Sequence, residues 1–151
     1  MRHESGFSLI EVLIALAIFA VGLLGVASLQ IVGLKSCYDA YLASQAVVLA
    51  QGMGDQLRVA HRTDESLLTQ YLYNGDGPGG DCEAPPNGAV ALGSEDRDYW
   101  LNTVACALPA GVGHVQQTGE GYRITVLWRA SMAQGAADEP HSEQLSLEVV
   151  L

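Results

Sequence analysis

The chain has 151 residues, enough for one domain with a modest core, and 49% of them are hydrophobic against 16% charged. Seven Lys and Arg stand against seventeen Asp and Glu, a formal net charge of −10. That balance excludes a nucleic-acid surface, which needs clustered Lys and Arg against phosphate, and argues against electrostatic attachment to anionic lipid.

The apolar excess sits near the N-terminus. A polar leader, residues 1–6, is followed by an apolar run in which Val12 to Leu34 is 23 residues without a formal charge. A secretory signal carries a shorter apolar stretch and a small-x-small cleavage site. This run reaches the ~20 helical residues that cover a bilayer core of ~30 Å. One carboxylate, Glu11, lies just inside its start. Glu11 can sit at headgroup level as an ordinary flanking charge. An ionised side chain deeper in lipid costs roughly 2.5–3.5 kcal/mol even on insertion scales, and there it needs a partner. Cutting between Gly6 and Phe7 would give Phe7 a free positive amine and make Glu11 the fifth residue of the mature chain, one helical turn along. The amine of one subunit could then neutralise the carboxylate of its neighbour and fix register during assembly.

Gly6-Phe7-Ser8-Leu9-Ile10-Glu11-Val12 resembles the class III signal of type IV pilins and type II secretion pseudopilins. The resemblance implies cleavage after Gly6 by a membrane prepilin peptidase, N-methylation of Phe7 by the same enzyme, and an assembly role for Glu11. The continuation from Ala15 to Gly25 is similar to the PilV minor pilins, the type IV pilus modification proteins. Major pilins commonly carry a proline midway along this helix. Here there is none, and Gly22, Gly25 and Gly33 are its weak points, each costing ~1 kcal/mol relative to Ala. The departure counts against a major pilin and leaves a minor pilin intact. Arg2 before the span and Lys35 after it give little direction by the positive-inside rule. The resemblance supplies it, with the leader in the cytoplasm and the globular part in the periplasm, and later in a filament at the cell surface.

The helix is expected to continue well past the apolar run. Tyr38, Leu42, Ala46, Leu49, Met53, Leu57 and Ala60 recur at steps of three and four, one face of an α-helix. No proline interrupts Phe7 to Arg62, so one helix of about 55 residues is predicted, with Gly52 and Gly54 as places to bend. Cys37 on this helix reads as a small buried thiol, since no arranged His and Asp accompany it.

Beyond it, Glu65–Tyr73 reads as a short helix with Leu67, Leu68, Tyr71 and Leu72 apolar. Asn74 to Asp81 is a loop by its Gly, Pro and Asp content. Its Asn74, Asp76 and Asp81 offer oxygen ligands to calcium, but the EF-hand pattern and its terminal Glu are missing, so a plain loop is expected. A second helix starts at Ser94, read as the cap, with Glu95 and Asp96 in its first turn. Trp100, Val104, Ala107 and Leu108 form its apolar face, and Pro109 and Gly111 end it. The stretch Asp98 to Gly111 also resembles a segment of PilV-type pilins. Three strands are predicted, over Val112–Thr118, Gly121–Arg129 and Gln144–Leu151, with Met132–His141 a loop between the last two. The fold class is therefore α+β, a pilin fold: a long N-terminal helix whose second half packs on a small antiparallel sheet.

Cys82 and Cys106 could form a disulfide if this part lies outside the cytoplasm, and closing that loop would stabilise the fold by roughly 3.5 kcal/mol on the chain-entropy model. The histidines show no metal-ligand spacing, and no G-x-S-x-G or phosphate-binding loop is present. Asp55, Asp64, Asp76, Asp96 and Asp98 are scattered and read as solvated surface. No catalytic residue, metal or cofactor is expected. The domains are a leader at 1–6, a transmembrane or filament-core helix half at 7–34, and a periplasmic globular domain at 35–151. The partners implied are the prepilin peptidase, the major pilin and other minor pilins, the inner-membrane assembly platform, and membrane lipid before assembly, but no nucleic acid. The function expected is that of a minor pilin in pilus assembly, twitching motility and attachment. The alternative is a minor pseudopilin of type II secretion. A membrane-anchored periplasmic adhesin or enzyme is a more distant reading.

Overall fold

The structure, a computed structural model, describes residues 8–75, 82–83, 90–119, 121–130 and 142–151. Helix α1 runs over Leu9–Thr63 without a break, as the absence of proline and the three-four stepping predict. The chain divides into two units, Met1–Tyr38 and Asp39–Leu151.

In the first unit every described residue of α1 is exposed, because a single helix has no second layer to bury it. That corrects the reading of Cys37, which is exposed rather than packed. Tyr38 is likewise 48% exposed and does not begin the buried stripe.

In the second unit α1 buries Leu42, Ala46, Ala50, Met53, Gly54, Leu57 and Ala60. The stripe passes through Ala50 rather than Leu49, which packs at its margin. At Gly54 the stripe meets the sheet, where an added Cβ would come within 3.1 Å of the Val149 side chain and 3.7 Å of Ile124. After Thr63 the chain turns through a 3-10 segment, Glu65–Leu67, whose Asp64 carboxylate accepts the Ser66 N–H at 2.9 Å. Helix α2, Leu68–Tyr71, buries Leu68 and Tyr71. The predicted helix stops short of Tyr73, which instead exchanges two backbone hydrogen bonds of 2.9 Å with Val115 and borders the sheet.

Helix α3 spans Ser94–Ala107 and buries Trp100 and Val104. Ser94 is not its cap. Gly93 occupies that position at φ 107°, a conformation that favours glycine, and Ser94 is already helical. Ala107 is exposed, contrary to its place on the predicted apolar face, while Leu108 beyond it is buried.

Strands β1 (Val112–Thr118), β2 (Gly121–Arg129) and β3 (Ser142–Val149) form one antiparallel sheet in the order β1-β2-β3. Strict alternation sets the inner face: Val115 opposes Ile124, Ile124 opposes Leu147, and Tyr122 opposes Val149. The outer face pairs Arg123 with Glu148 at 2.7 Å and Thr125 with Ser146 at 3.1 Å, each directly across the register. Leu127, an apolar residue between the buried Val126 and Trp128, faces outward and is half-buried. At Gly113 the sheet meets α3, where an added Cβ would overlap the Trp100 ring. The core thus lies between the sheet, α2, α3 and the second half of α1. The layout is α+β and matches the pilin fold. The predicted loop Met132–His141 lies outside the described residues.

Candidate processing and assembly site

The N-terminal site begins with Ser8, whose carbonyl accepts the first helical bonds, from Glu11 N at 3.0 Å and Val12 N at 3.3 Å. Glu11 is therefore in the first turn of α1, where a negative charge suits the helix dipole. Its neighbours Ile10, Val12, Leu13 and Ile14 are all exposed, as is every large apolar side chain from there to Leu34. Burying one such side chain is worth roughly 1.5–3 kcal/mol, so this surface demands a lipid or protein covering. The helix is long and apolar enough to cross a membrane, by length and composition. Gly6 and Phe7, the predicted cleavage and methylation positions, lie outside the described residues.

The globular unit joins Cys82 to Cys106 in a disulfide, with their Cα atoms 4.7 Å apart. Of the loop residues considered for calcium, Asn74 has its carbonyl oxygen engaged by Gln116 Nε2 at 2.6 Å. Asp76 and Asp81 lie outside the described residues. Among the described residues no group of three or more His, Cys, Asp or Glu is placed to hold a metal ion.

One polar cluster escaped the sequence reading. Asp96 is not solvated surface: it is 9% exposed. Its carboxylate accepts the Tyr71 hydroxyl at 2.7 Å and Gln56 Nε2 at 2.9 Å. The Tyr71 oxygen in turn accepts the Gly93 N–H at 3.2 Å. The cluster ties α1, α2 and the start of α3 together, and its hydrogen bonds satisfy a carboxylate that burial would otherwise make costly. The only local hint was an acid in the first turn of a helix, a pattern that exposed acids share.

Burial pushes the Tyr71 hydroxyl up to about 12, and the Asp96 charge adds to the shift. A raised tyrosine pKa means that the folded chain keeps a proton the unfolded chain has already lost. The associated stability is complete below pH 10 and is lost as the pH rises towards 12, by up to about 2 kcal/mol. Tyr122, also raised by burial, acts in the same direction. Urea melts at stepped alkaline pH check this: wild type is expected to weaken steeply above pH 10, and Tyr71→Phe to weaken less steeply from a lower starting stability.

The prokaryotic N-terminal methylation motif matches residues 1–27, the segment that holds Glu11 and the start of the apolar helix. The match indicates a type IV pilin-like prepilin. No curated protein and no solved structure matches it. The motif supports a type IV pilin-like or pseudopilin protein. Its motif implies processing by prepilin peptidase and assembly with other pilins. The exposed apolar helix is consistent with membrane anchoring before that assembly.

Proposed function

We propose that this prepilin is a minor pilin of the PilV type, acting in assembly of a Gram-negative type IV pilus, in twitching motility and in attachment. On this reading the chain is cut after Gly6, N-methylated at Phe7, and divided into a leader at 1–6, a filament-core helix half at 7–34 and a periplasmic domain at 35–151. The observation that carries it is Glu11, a carboxylate in the first turn of an otherwise apolar helix within the methylation motif. The free amine of Phe7 on a neighbouring subunit is its partner in the assembled filament. The missing mid-helix proline favours a minor pilin over a major one, and the resemblance of Asp98 to Gly111 to a PilV segment leans toward the pilus over the secretion pseudopilus.

A minor pseudopilin of type II secretion would share the N-terminus, and a clean deletion strain separates the two. Sheared surface pili and type II exoprotein secretion are measured side by side, with complementation. Lost pili with normal secretion are expected. Normal pili with lost secretion would move the protein to the secretion pseudopilus.

A further inference from the structure

Cys82 and Glu83 are held on α3 by more than the disulfide. The Asn102 side chain forms a two-way fork with the backbone of Glu83: Asn102 Oδ1 accepts the Glu83 N–H at 2.8 Å, and Asn102 Nδ2 donates to the Glu83 carbonyl at 3.0 Å. This is the exchange a neighbouring strand would make with an extended residue, here supplied by one amide side chain. Asn102 and Cys106 are four residues apart on one face of α3, and the Asn102 Oδ1 lies 3.8 Å from the Cys106 sulfur. The fork therefore grips the residue next to Cys82 while the thiol partner waits one helical turn along.

We propose that Asn102 is a positioning residue for the disulfide, docking Cys82–Glu83 on α3 so that the two thiols are held together before oxidation and after reduction. Both fork bonds are backbone-directed, so they need no sulfur–sulfur bond to form. Oxidation by a small-molecule disulfide runs through two exchanges. One cysteine thiolate attacks the oxidant, forming a mixed disulfide and expelling one small thiolate. The second cysteine thiolate then attacks the protein sulfur of that mixed disulfide, forming the Cys82–Cys106 bond and expelling the second small thiolate. The two thiol protons pass to solvent or to the released thiolates, and the oxidant takes up two electrons. The second exchange is intramolecular, so its equilibrium follows the effective concentration of one thiol at the other. The fork raises that concentration.

The test uses the full chain in detergent micelles with Cys37→Ser as background, because Cys37 is exposed and would form its own mixed disulfides. The protein is equilibrated in oxidised and reduced glutathione, quenched with acid, alkylated and weighed by mass spectrometry. Asn102→Ala is expected to lower the effective concentration about tenfold, the net worth of one to two hydrogen bonds. Asn102→Asp keeps the side-chain shape and the acceptor but loses the donor, so it is expected to fold and to show a smaller fall of about threefold. If Asn102 merely supported α3, both variants would lower the melting temperatures of the oxidised and reduced forms together and leave the thiol–disulfide ratio unchanged. Effective concentrations within about twofold of wild type in both variants would overturn the proposal.

Discussion

Glu11→Ala is expected to leave the protein in the membrane and correctly cleaved, yet to reduce its amount in sheared filaments about tenfold or more, the effect of losing roughly 1.4 kcal/mol of assembly energy. Residues from Val12 to Leu34 carry no charge, so Ala at position 11 removes nothing that the membrane anchor needs. On the proposed reading, what it removes is the counter-charge for the Phe7 amine of a neighbouring subunit. That amine would be buried without a partner in the filament, where an uncompensated charge is far more costly than a matched pair. Glu11→Gln separates charge from shape, and it is expected to fail as badly as Ala. Quantitative immunoblots of sheared and membrane fractions read both variants. Wild-type incorporation of either would show that Glu11 is only a flanking residue of the helix.

Trp100→Ala is expected to destabilise the globular unit by about 4 kcal/mol, the middle of the range for truncating a buried aromatic. Trp100 is only 4% exposed. Its ring lies over Gly113 of β1, and its Nε1 donates to the Leu49 carbonyl of α1 at 2.9 Å. One side chain therefore fastens α3 to both the sheet and the long helix. Gly113→Ala probes the same contact from the other side. Its new methyl would overlap the ring, at an expected cost of about 2 kcal/mol or more from overpacking. The double variant should lose less than the two single losses together, because the cavity left by the indole accepts the methyl. Denaturant unfolding of the full chain in detergent reads these values as shifts in midpoint at constant slope. Strict additivity would mean that the ring and Gly113 are not energetically coupled.

Much of this protein was written in local sequence. A charge-free run of 23 residues, then apolar residues at steps of three and four without a proline, specify one continuous helix, and α1 follows over Leu9–Thr63. The alternation of Tyr122, Ile124, Val126 and Trp128 specifies β2 and its inner face, and β1 and β2 fall at the predicted bounds. The N-terminal motif, too, is contiguous and readable without a fold. These features depend on the period of the backbone, and that period is a property of each segment alone.

The tertiary structure decided what lies over what. Asp96 reads as any exposed acid at a helix start until Tyr71, 25 residues earlier, and Gln56, 40 residues earlier, close over its carboxylate. The buried stripe of α1 runs through Ala50, with Leu49 at its margin, and steps of three and four are compatible with either. Ser94 yields the cap position to Gly93 because the chain enters α3 at a positive φ, which also aims the Gly93 N–H at the Tyr71 hydroxyl. Cys37 is exposed on the first half of α1, where every other described residue is exposed as well. The fork from Asn102 to Glu83 spans 19 residues and uses the backbone of one residue and the amide of another, so no local pattern announces it. Burial and hydrogen-bond partners between distant segments come from packing, and packing exists only once the segments have met.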